Sequence, residues 1–541
     1  MKKLIFGYGL SFILSFMLFL YEPFALYVSN LDEFTFDIYD IFPTITLSFL
    51  GCFLFFCLVF TILYRFVKNK KIYDIVFLVI ALIFLGLFLQ GNFFNIELPW
   101  LDGSKVIWSK YVIPNIVSIT LWLVIIAIGI FLPKKIGFDN IYKLTVYACI
   151  FVSLILSMAI IGNIVVMKNS LFQKKYVLST TENYQVASTN RNFIILMLDA
   201  VDAVMFDEIM QKNKHENVFD DFTFYKDTTS TYIYTRDSIP FILTNKWNKN
   251  KTSFSDYSNK AYSNSYLFKT LKDNNYAINL YTNDLIWEDE GYKVTANLKN
   301  TNKSIDSFIY LREQKKYILF KYLPFPLKRL SKIETIRFKN KVVYNNEGLY
   351  DWNDIIAYDE FRKGKLNTTD TNMFKFIHIE GAHVPFDLNN KVENIGANNG
   401  TYYDKLESSI LIIDAFLKQL KESNVYDNSN IIIMADHGYA LGNGYEGRQN
   451  PILFIKGINE HHGLERSDIP VSYTDLKSVY FDLLNEKQSS ELFADVDPNR
   501  DRKMLLYVYG NESHMVEVVQ QGEAWNEKTI KSTGNIYDLK K

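Results

Sequence analysis

Three stretches of this chain carry residue types that chemistry needs, and each stands where an apolar run stops. Asn192-Phe193-Ile194-Ile195-Leu196-Met197-Leu198 ends in Asp199, and Asn430-Ile431-Ile432-Ile433-Met434-Ala435 ends in Asp436-His437-Gly438. Phe374-Lys375-Phe376-Ile377-His378 runs on into Ile379-Glu380-Gly381-Ala382-His383-Val384-Pro385. A single strand-end aspartate is commonly the cap of the next helix. Two of them with an adjacent histidine suit one divalent metal, Zn²⁺ or Mn²⁺, held by carboxylate oxygen and imidazole nitrogen without thiolate. Asp199, Asp436 and His437 are the candidate ligands. His378 and His383 stand five apart across a glycine. Imidazoles in such a loop donate to phosphate or sulfate oxygens and protonate a leaving group; the alternative is a satisfied core or surface histidine.

A fourth stretch sets the polar cluster Thr235-Arg236-Asp237-Ser238 inside Tyr232-Ile233-Tyr234 and Ile239-Pro240-Phe241. A hydroxyl attacking phosphorus or sulfur must lose its proton, and a metal on its oxygen promotes that loss. Thr235 is the candidate nucleophile and a fourth metal ligand. Arg236 suits an anionic substrate or one of the carboxylates. The structural reading is a helix start, with Thr235 or Ser238 capping a helix at 238–246 and Pro240 in its first turn. The two readings are compatible, because a nucleophile at a helix N-terminus gains from the positive end of the dipole.

The elements that must position these groups follow from pattern. The continuous apolar runs at 192–198, 374–378, 430–435 and 451–456 predict strands buried on both faces. Between the second and third, Leu406, Ile410, Ile413, Phe416, Leu417 and Leu420 recur at helical spacing over 402–423. Strands alternating with helices predict a doubly wound, mostly parallel sheet between helices. Ligands bind beyond the carboxyl ends of such strands, where the aspartates stand.

The rest of the chain has a different character. The sequence has 541 residues with 16% aromatics and a formal net charge of -1, which argues against a nucleic-acid partner. Cys52, Cys57 and Cys149 all lie in the N-terminal third, and all seven histidines lie after residue 200. The polar remainder therefore has no disulfide and no thiolate metal site. Apolar runs at about 4–21, 42–64, 73–91, 114–132 and 144–167 each approach the ~20 residues that cross a bilayer. The first reads as an uncleaved helix, since Tyr21-Glu22-Pro23-Phe24 offers no small-residue cleavage site.

Loop 65–74 carries Arg65, Lys68, Lys70 and Lys71, and loop 133–143 carries Lys134, Lys135 and Lys143. Loop 22–40 carries Glu22, Asp32, Glu33, Asp37 and Asp40 and no basic residue. The asymmetry places the N-terminus in the cytoplasm and, after five crossings, the polar domain outside. The expected organisation is a five-helix transmembrane domain over 1–167, a juxtamembrane connector over 168–190 and an extracytoplasmic domain over 191–541. The connector, with Lys168, Lys174 and Lys175 among Leu171, Phe172, Tyr176 and Val177, reads equally as membrane-surface or as solvated linker.

Together these residues resemble the sulfatase and alkaline phosphatase superfamily, and within it the membrane-anchored transferases: lipoteichoic acid synthases and lipid A phosphoethanolamine transferases. The resemblance covers roughly 190–490. It rests on Asp199 in IILMLDAVDA, on ADHG with Asp436 and His437, and on HIEGAHVP, where the family role falls mainly on His383. Sulfatases carry Cys or Ser in Cys/Ser-x-Pro-Ser-Arg before Leu-Thr-Gly. A gapless match on Leu243-Thr244-Asn245 puts Thr235 in that position, and an unmodified Thr is what the transferases use. A match on Ser238-Ile239-Pro240 instead puts Ile233 there and leaves Thr231 as the runner-up. Asp199 replaces the transferases' Glu, the disulfides of the phosphoethanolamine group are absent, and Asp202 is a further carboxylate beside the site or on the surface. Glu446-Gly447-Arg448-Gln449-Asn450-Pro451 resembles the family's approach to the late strand, with Arg448 toward the substrate anion.

The resemblance implies a multi-pass plasma (inner) membrane protein with an extracytoplasmic sulfatase-like domain and one divalent metal, Zn or Mn, on Asp199, Thr235, Asp436 and His437. Thr235 and His383 would be catalytic, and His378, Arg236 and Arg448 would bind substrate. The implied reaction moves phosphoglycerol or phosphoethanolamine from a membrane phospholipid to a surface glycan or glycolipid through a phospho-threonine. The alternatives are a sulfate or phosphate ester hydrolase and a non-catalytic, lipid-binding regulator. No motif is legible over 245–370.

Overall fold

The computed structural model describes residues 2–31, 34, 36–67, 69–99, 101, 105–168, 171, 177–283, 287, 291–300, 304–333, 343–344, 348–439, 448–508 and 511–538. Asp32, Glu33, Lys68, Phe172, Lys174, Lys175, Tyr176, Glu446 and Gly447 lie outside them. The chain forms two compact units, but not with the boundaries read from the sequence. One joins Met1–Tyr176 to Asn302–Asn346; the other joins Val177–Thr301 to Glu347–Lys541.

Among the described residues, the first unit contains five helices long and apolar enough to cross a membrane: Lys2–Ser29, Ile38–Phe66, Lys70–Asn92, Val112–Ile136 and Phe138–Val166. Each covers one of the apolar runs, the fifth to within one residue. The first has a π-helical turn at Met17–Tyr21. It buries Leu10, Ile13 and Met17 against Phe60, Phe77 and Tyr142 of later spans.

Residues 304–331 return to this unit from the middle of the polar sequence. A strap helix, Ser307–Tyr322, leads into a 3-10 turn at Phe325–Ser331. Ile318 and Tyr322 join the bundle's apolar core, and Tyr310 packs with Phe24 and Leu171. Polar contacts pin the strap: Lys321 Nζ lies 2.7 Å and Tyr322 Oη 2.9 Å from Glu22 Oε2. Asn95 Nδ2 donates to Lys321 O at 2.9 Å, and Phe325 N to Ser118 Oγ at 2.9 Å. A Cβ on Gly91 would stand 2.5 Å from the Tyr322 ring, so only glycine admits this approach. These buried contacts are why 302–346 belongs with the bundle and not with a continuous domain over 191–541.

The connector expected at 168–190 is also revised. Leu171 is fully buried in the first unit. Val177–Ser179 and Val186–Ser188 are strands of the second unit, paired with Leu298–Asn300 and Asn367–Thr369.

The second unit is an α/β domain around a seven-stranded sheet. Its strands are β1 (Asn192–Leu198), β2 (Thr223–Tyr225), β3 (Tyr276–Tyr281), β4 (Asn372–Ile379), β5 (Ser429–Ala435), β6 (Leu453–Lys456) and β7 (Glu465–Ser467). Their spatial order is β7-β2-β6-β5-β1-β4-β3. β5, β1, β4 and β3 pair in parallel, and β6 runs antiparallel to both neighbours. Every residue of β1 and β5 is buried, as the continuous apolar runs require. The expected helix at 402–423 spans Tyr402–Glu422. A three-stranded antiparallel sheet, Arg502–Val508, Asn511–Gln520 and Ile530–Asp538, closes the chain and had no sequence signal strong enough to predict it.

Candidate active site

β1 and β5 are adjacent parallel strands with Leu198 in register with Ala435. The next residue of each is therefore an aspartate beside an aspartate. Ala200 turns the chain sharply after β1 with φ of +57°. Its N–H donates to Asp436 Oδ1 at 3.0 Å, and His437 N donates to the same oxygen at 2.8 Å. Asp436 Oδ2 and Asp199 Oδ1 are buried without a hydrogen-bond donor. His437 Nδ1 donates to Gly438 O at 2.7 Å, which leaves the lone pair on Nε2. That Nε2 lies 3.3 Å from Asp436 Oδ2 and 3.7 Å from Asp199 Oδ1.

Three lone-pair atoms thus face one another in a buried place, and a proton or a metal cation between them relieves the repulsion. Ligand atoms on one ion at ~2.1 Å stand ~3.4 Å apart in a tetrahedron, close to this spacing. Asp199, Asp436 and His437 therefore fit a divalent metal, and they are the one such group among the described residues. Without the ion, the two carboxylates titrate in opposite directions. Burial raises Asp199, but the imidazoles of His383, His378 and His437 outweigh it and hold the group below the carboxylate range. Burial and then the neighbouring Asp199 push Asp436 up.

Thr235 is the first residue of a helix, Thr235–Thr244, whose N-cap is Tyr234. The expected helix at 238–246 starts three residues earlier, so Pro240 falls in its second turn. Proline there gives the Arg236 carbonyl no N–H. Thr235 does not cap: Tyr234 O accepts from Asp237 N and Ser238 N at 3.2 and 3.1 Å. The Thr235 hydroxyl instead donates to Asp199 Oδ2 at 3.2 Å. Thr231, the other candidate, is fully buried and makes no side-chain hydrogen bond. Asp237 anchors the helix from below, accepting from Asn248 Nδ2 at 2.8 Å and from Tyr507 Oη at 2.7 Å.

The HIEGAHVP loop folds back onto Asp199. Ala382 N donates to Asp199 O at 2.9 Å. Gly381 has φ of +56°, and a Cβ there would meet Asp199 N and O at 2.8 Å. Sequence reading missed what holds this loop. Lys405, buried on the Tyr402–Glu422 helix, places Nζ 3.2 Å from Asp354 Oδ2, 3.6 Å from Glu380 Oε2 and 3.8 Å from Asp387 Oδ1. Asp354 Oδ1 accepts from Gly381 N at 3.0 Å. One cation thus ties both ends of the loop together. Lys405 stands on a helix whose other charges are solvated, and nothing in one sequence marks it.

The remaining candidates are placed as follows. His378 is fully buried; its Nδ1 lies 3.1 Å from Thr282 Oγ1 and its Nε2 3.8 Å from Asp199 Oδ2. It stands beside Asp199. His383 is half-buried, with Nδ1 2.5 Å from Val384 O, and the Trp352 ring stands 5.3 Å from His378 and 6.0 Å from His383. Arg236 is exposed with its guanidinium 4.2 Å from the Phe254 ring centroid. Arg448 lies over Tyr234 at 5.8 Å, and its carbonyl accepts from Gly438 N at 2.7 Å, so it reaches the neighbourhood of both Thr235 and His437. Asp202 is not a ligand of this cluster: it caps the helix Ala203–Lys212, accepting from Met205 N at 3.0 Å, and burial pushes it up to about 7.

The family model for sulfatases matches residues 191–469, just over half of the chain. The chain belongs to the sulfatase family. Its α/β unit is the fold of an enzyme of the sulfatase and alkaline phosphatase superfamily. Similar solved structures include Ps i-CgsB, 14% identical with a TM-score of 0.40, covering 65% of this chain and 86% of that one. A protein in the alkaline phosphatase superfamily from Vibrio parahaemolyticus is 14% identical with a TM-score of 0.36, covering 68% and 85%. The lipoteichoic acid synthase LtaP from Listeria monocytogenes is 12% identical with a TM-score of 0.35, covering 67% and 90%. No curated protein matches the chain.

Proposed function

We propose that this sulfatase-family chain is a membrane-anchored, metal-dependent transferase that moves phosphoglycerol or phosphoethanolamine from a phospholipid to a surface glycan or glycolipid. The observation that carries the reading is the Thr235 hydroxyl 3.2 Å from Asp199 Oδ2; the match on Leu243-Thr244-Asn245 supports it by setting Thr235 where the sulfatases it resembles carry an oxidisable Cys or Ser. Asp199, Asp436, His437 and Thr235 would hold one divalent ion, Zn or Mn. Bound there, the ion would lower the pKa of the Thr235 hydroxyl and offset negative charge on the transferring group. Five spanning helices support a lipid donor, since a hydrolase of soluble esters has little need of them. The loop charges support an N-terminus in the cytoplasm and an α/β unit outside the plasma (inner) membrane.

In the first half-reaction Thr235 Oγ, held at Asp199, loses its proton to solvent water and attacks the headgroup phosphorus. The bond from phosphorus to the diacylglycerol oxygen breaks, and His383 delivers a proton to that oxygen. In the second, His383, having given up its proton, takes the proton of the acceptor hydroxyl as that oxygen attacks phosphorus; the Thr235 Oγ–phosphorus bond breaks, and Thr235 Oγ regains a proton from solvent water. Arg448 and the N-terminal end of the Thr235 helix would meet the phosphate oxygens.

The test is intact mass of the full chain in lipid nanodiscs, at full metal occupancy, with phosphatidylglycerol or phosphatidylethanolamine. An adduct on Thr235 that is missing from Thr235→Ala supports transfer, and its mass names the group. No adduct with either donor overturns the mechanism.

A further inference from the structure

The strap is the largest feature that the transfer reading leaves without a role. Between Ser307 and Lys332 stand seven Lys or Arg and a single acid, Glu313, among six aromatic residues. Its inner face is accounted for by the contacts to Glu22, Asn95 and Ser118. Those partners stand at the end of the first span, just past the end of the third and near the start of the fourth. In spans that alternate in direction these positions share one face of the bundle, the face where the fifth span ends at Val166. The strap therefore lies across the ends of the spanning helices.

Its outer face has two properties at once. Phe308 and Leu330 are large apolar groups, 75% and 62% exposed. Beside them, Arg312, Lys315, Arg329 and Lys332 are exposed. The nearby acids are already committed: Glu313 contacts Arg312 and Lys316 at 3.1 and 2.7 Å, and Glu22 contacts Lys321. Lys328 turns inward and donates to Lys321 O at 2.9 Å, capping the strap helix. Among the described residues this leaves Lys315, Arg329 and Lys332 as uncompensated cations next to exposed apolar side chains. Basic and aromatic residues on one surface helix are the signature of an interfacial segment that lies at headgroup depth.

We propose that the strap is a binding site for anionic phospholipid headgroups in the leaflet at this face of the bundle. The cations take the headgroup phosphates, and Phe308 and Leu330 enter the acyl boundary. The inference does not depend on the transfer chemistry at Thr235.

The experiment is native mass spectrometry of the full chain released from detergent in equimolar phosphatidylglycerol and phosphatidylcholine. The wild type should retain phosphatidylglycerol in preference. In Lys315→Gln/Arg329→Gln/Lys332→Gln the preference should fall at least tenfold, since a basic side chain near an anionic surface contributes roughly fivefold. The charge-keeping variant Lys315→Arg/Arg329→Lys/Lys332→Arg should retain it, which separates charge from misfolding. Lys212→Gln/Lys363→Gln/Lys418→Gln, on the other unit, should change nothing. Equal retention of the two lipids by the wild type, or an unchanged preference in the strap variant, overturns the proposal. So does a preference that vanishes in Thr235→Ala alone, which would place the retained lipid at the catalytic residues.

Discussion

Replacing Lys405 with methionine removes one charge and little volume, so it isolates the cation that ties the HIEGAHVP loop. Lys405 and Asp354 are almost wholly buried, Asp387 is 4% exposed and Glu380 20%. Removing one partner of a buried ion pair costs about 3–5 kcal/mol. The pH dependence sharpens the estimate. Burial raises Asp354 to about 6 from 3.8, against the pull of Lys405. A carboxyl with a raised folded value holds more protons folded than unfolded, so stability falls as pH rises across that window. In the wild type the fall stops near 6. Without the cation the folded value rises further, and the fall continues past pH 6 at about 1.4 kcal/mol per pH unit. The gap between the two proteins should therefore be about 3 kcal/mol at pH 6 and about 4–5 at pH 7. At about 2 °C per kcal/mol for a unit of this size, thermal unfolding followed by tryptophan fluorescence should show shifts of roughly 6 and 9 °C. Lys405→Arg should recover most of the loss. A gap that narrows with rising pH, or one under about 1 kcal/mol throughout, would refute the reasoning.

The other predictions concern the site itself. Asp436→Asn and His437→Gln should each lower bound divalent metal at least tenfold by elemental analysis, because each removes one of three converging donors; retention of stoichiometric metal would remove these residues from the ligand set. Chelation of the wild type should abolish turnover of a phosphodiester, and Zn or Mn should restore it. Tyr507→Phe leaves Asp237 Oδ2 short of a buried donor and should cost about 1–3 kcal/mol, with a slower rate of Thr235 adduct formation and unchanged metal content. Gly381→Ala should impair activity severely, since its Cβ meets the backbone of Asp199, whereas Gly364→Ala, with positive φ but open space around it, should cost only about 1 kcal/mol of stability.

The residues whose chemistry depends on strand ends were legible because a buried strand reads as an apolar run and its end as the first polar residue. Asp199 and Asp436 come together for that reason alone, given parallel pairing in register. The supports were not legible, because they depend on long-range burial. Lys405 and Tyr507 look like ordinary surface residues until their partners, dozens to hundreds of residues away, are placed. Thr282 directly follows a strand hidden in 245–370, where Tyr276–Tyr281 has aromatic residues at both ends and Asn279 in its middle, breaking the apolar run. Pro240 misled the helix start: proline prefers the first turn, but burial of Asp237 and the contact from Thr235 to Asp199 fix the helix three residues earlier. The strap was invisible because its aromatic and basic residues have no partner in sequence, only in the bundle.

The interleaving of the two units has a consequence for how the protein is made. A ribosome delivers all five spans before it reaches residue 302. Until the strap emerges, Glu22, Asn95 and Ser118 have lost the partners that cover them, and the bundle is unfinished. Some 125 residues of the α/β unit (177–301) are synthesised in that interval, yet that unit still lacks β4, β5, β6 and β7. Neither unit can be completed from a contiguous piece of message. A chain truncated between 177 and 301 should therefore be a substrate for membrane quality control, and excising the α/β unit for separate expression requires removing 302–346 and rejoining the ends.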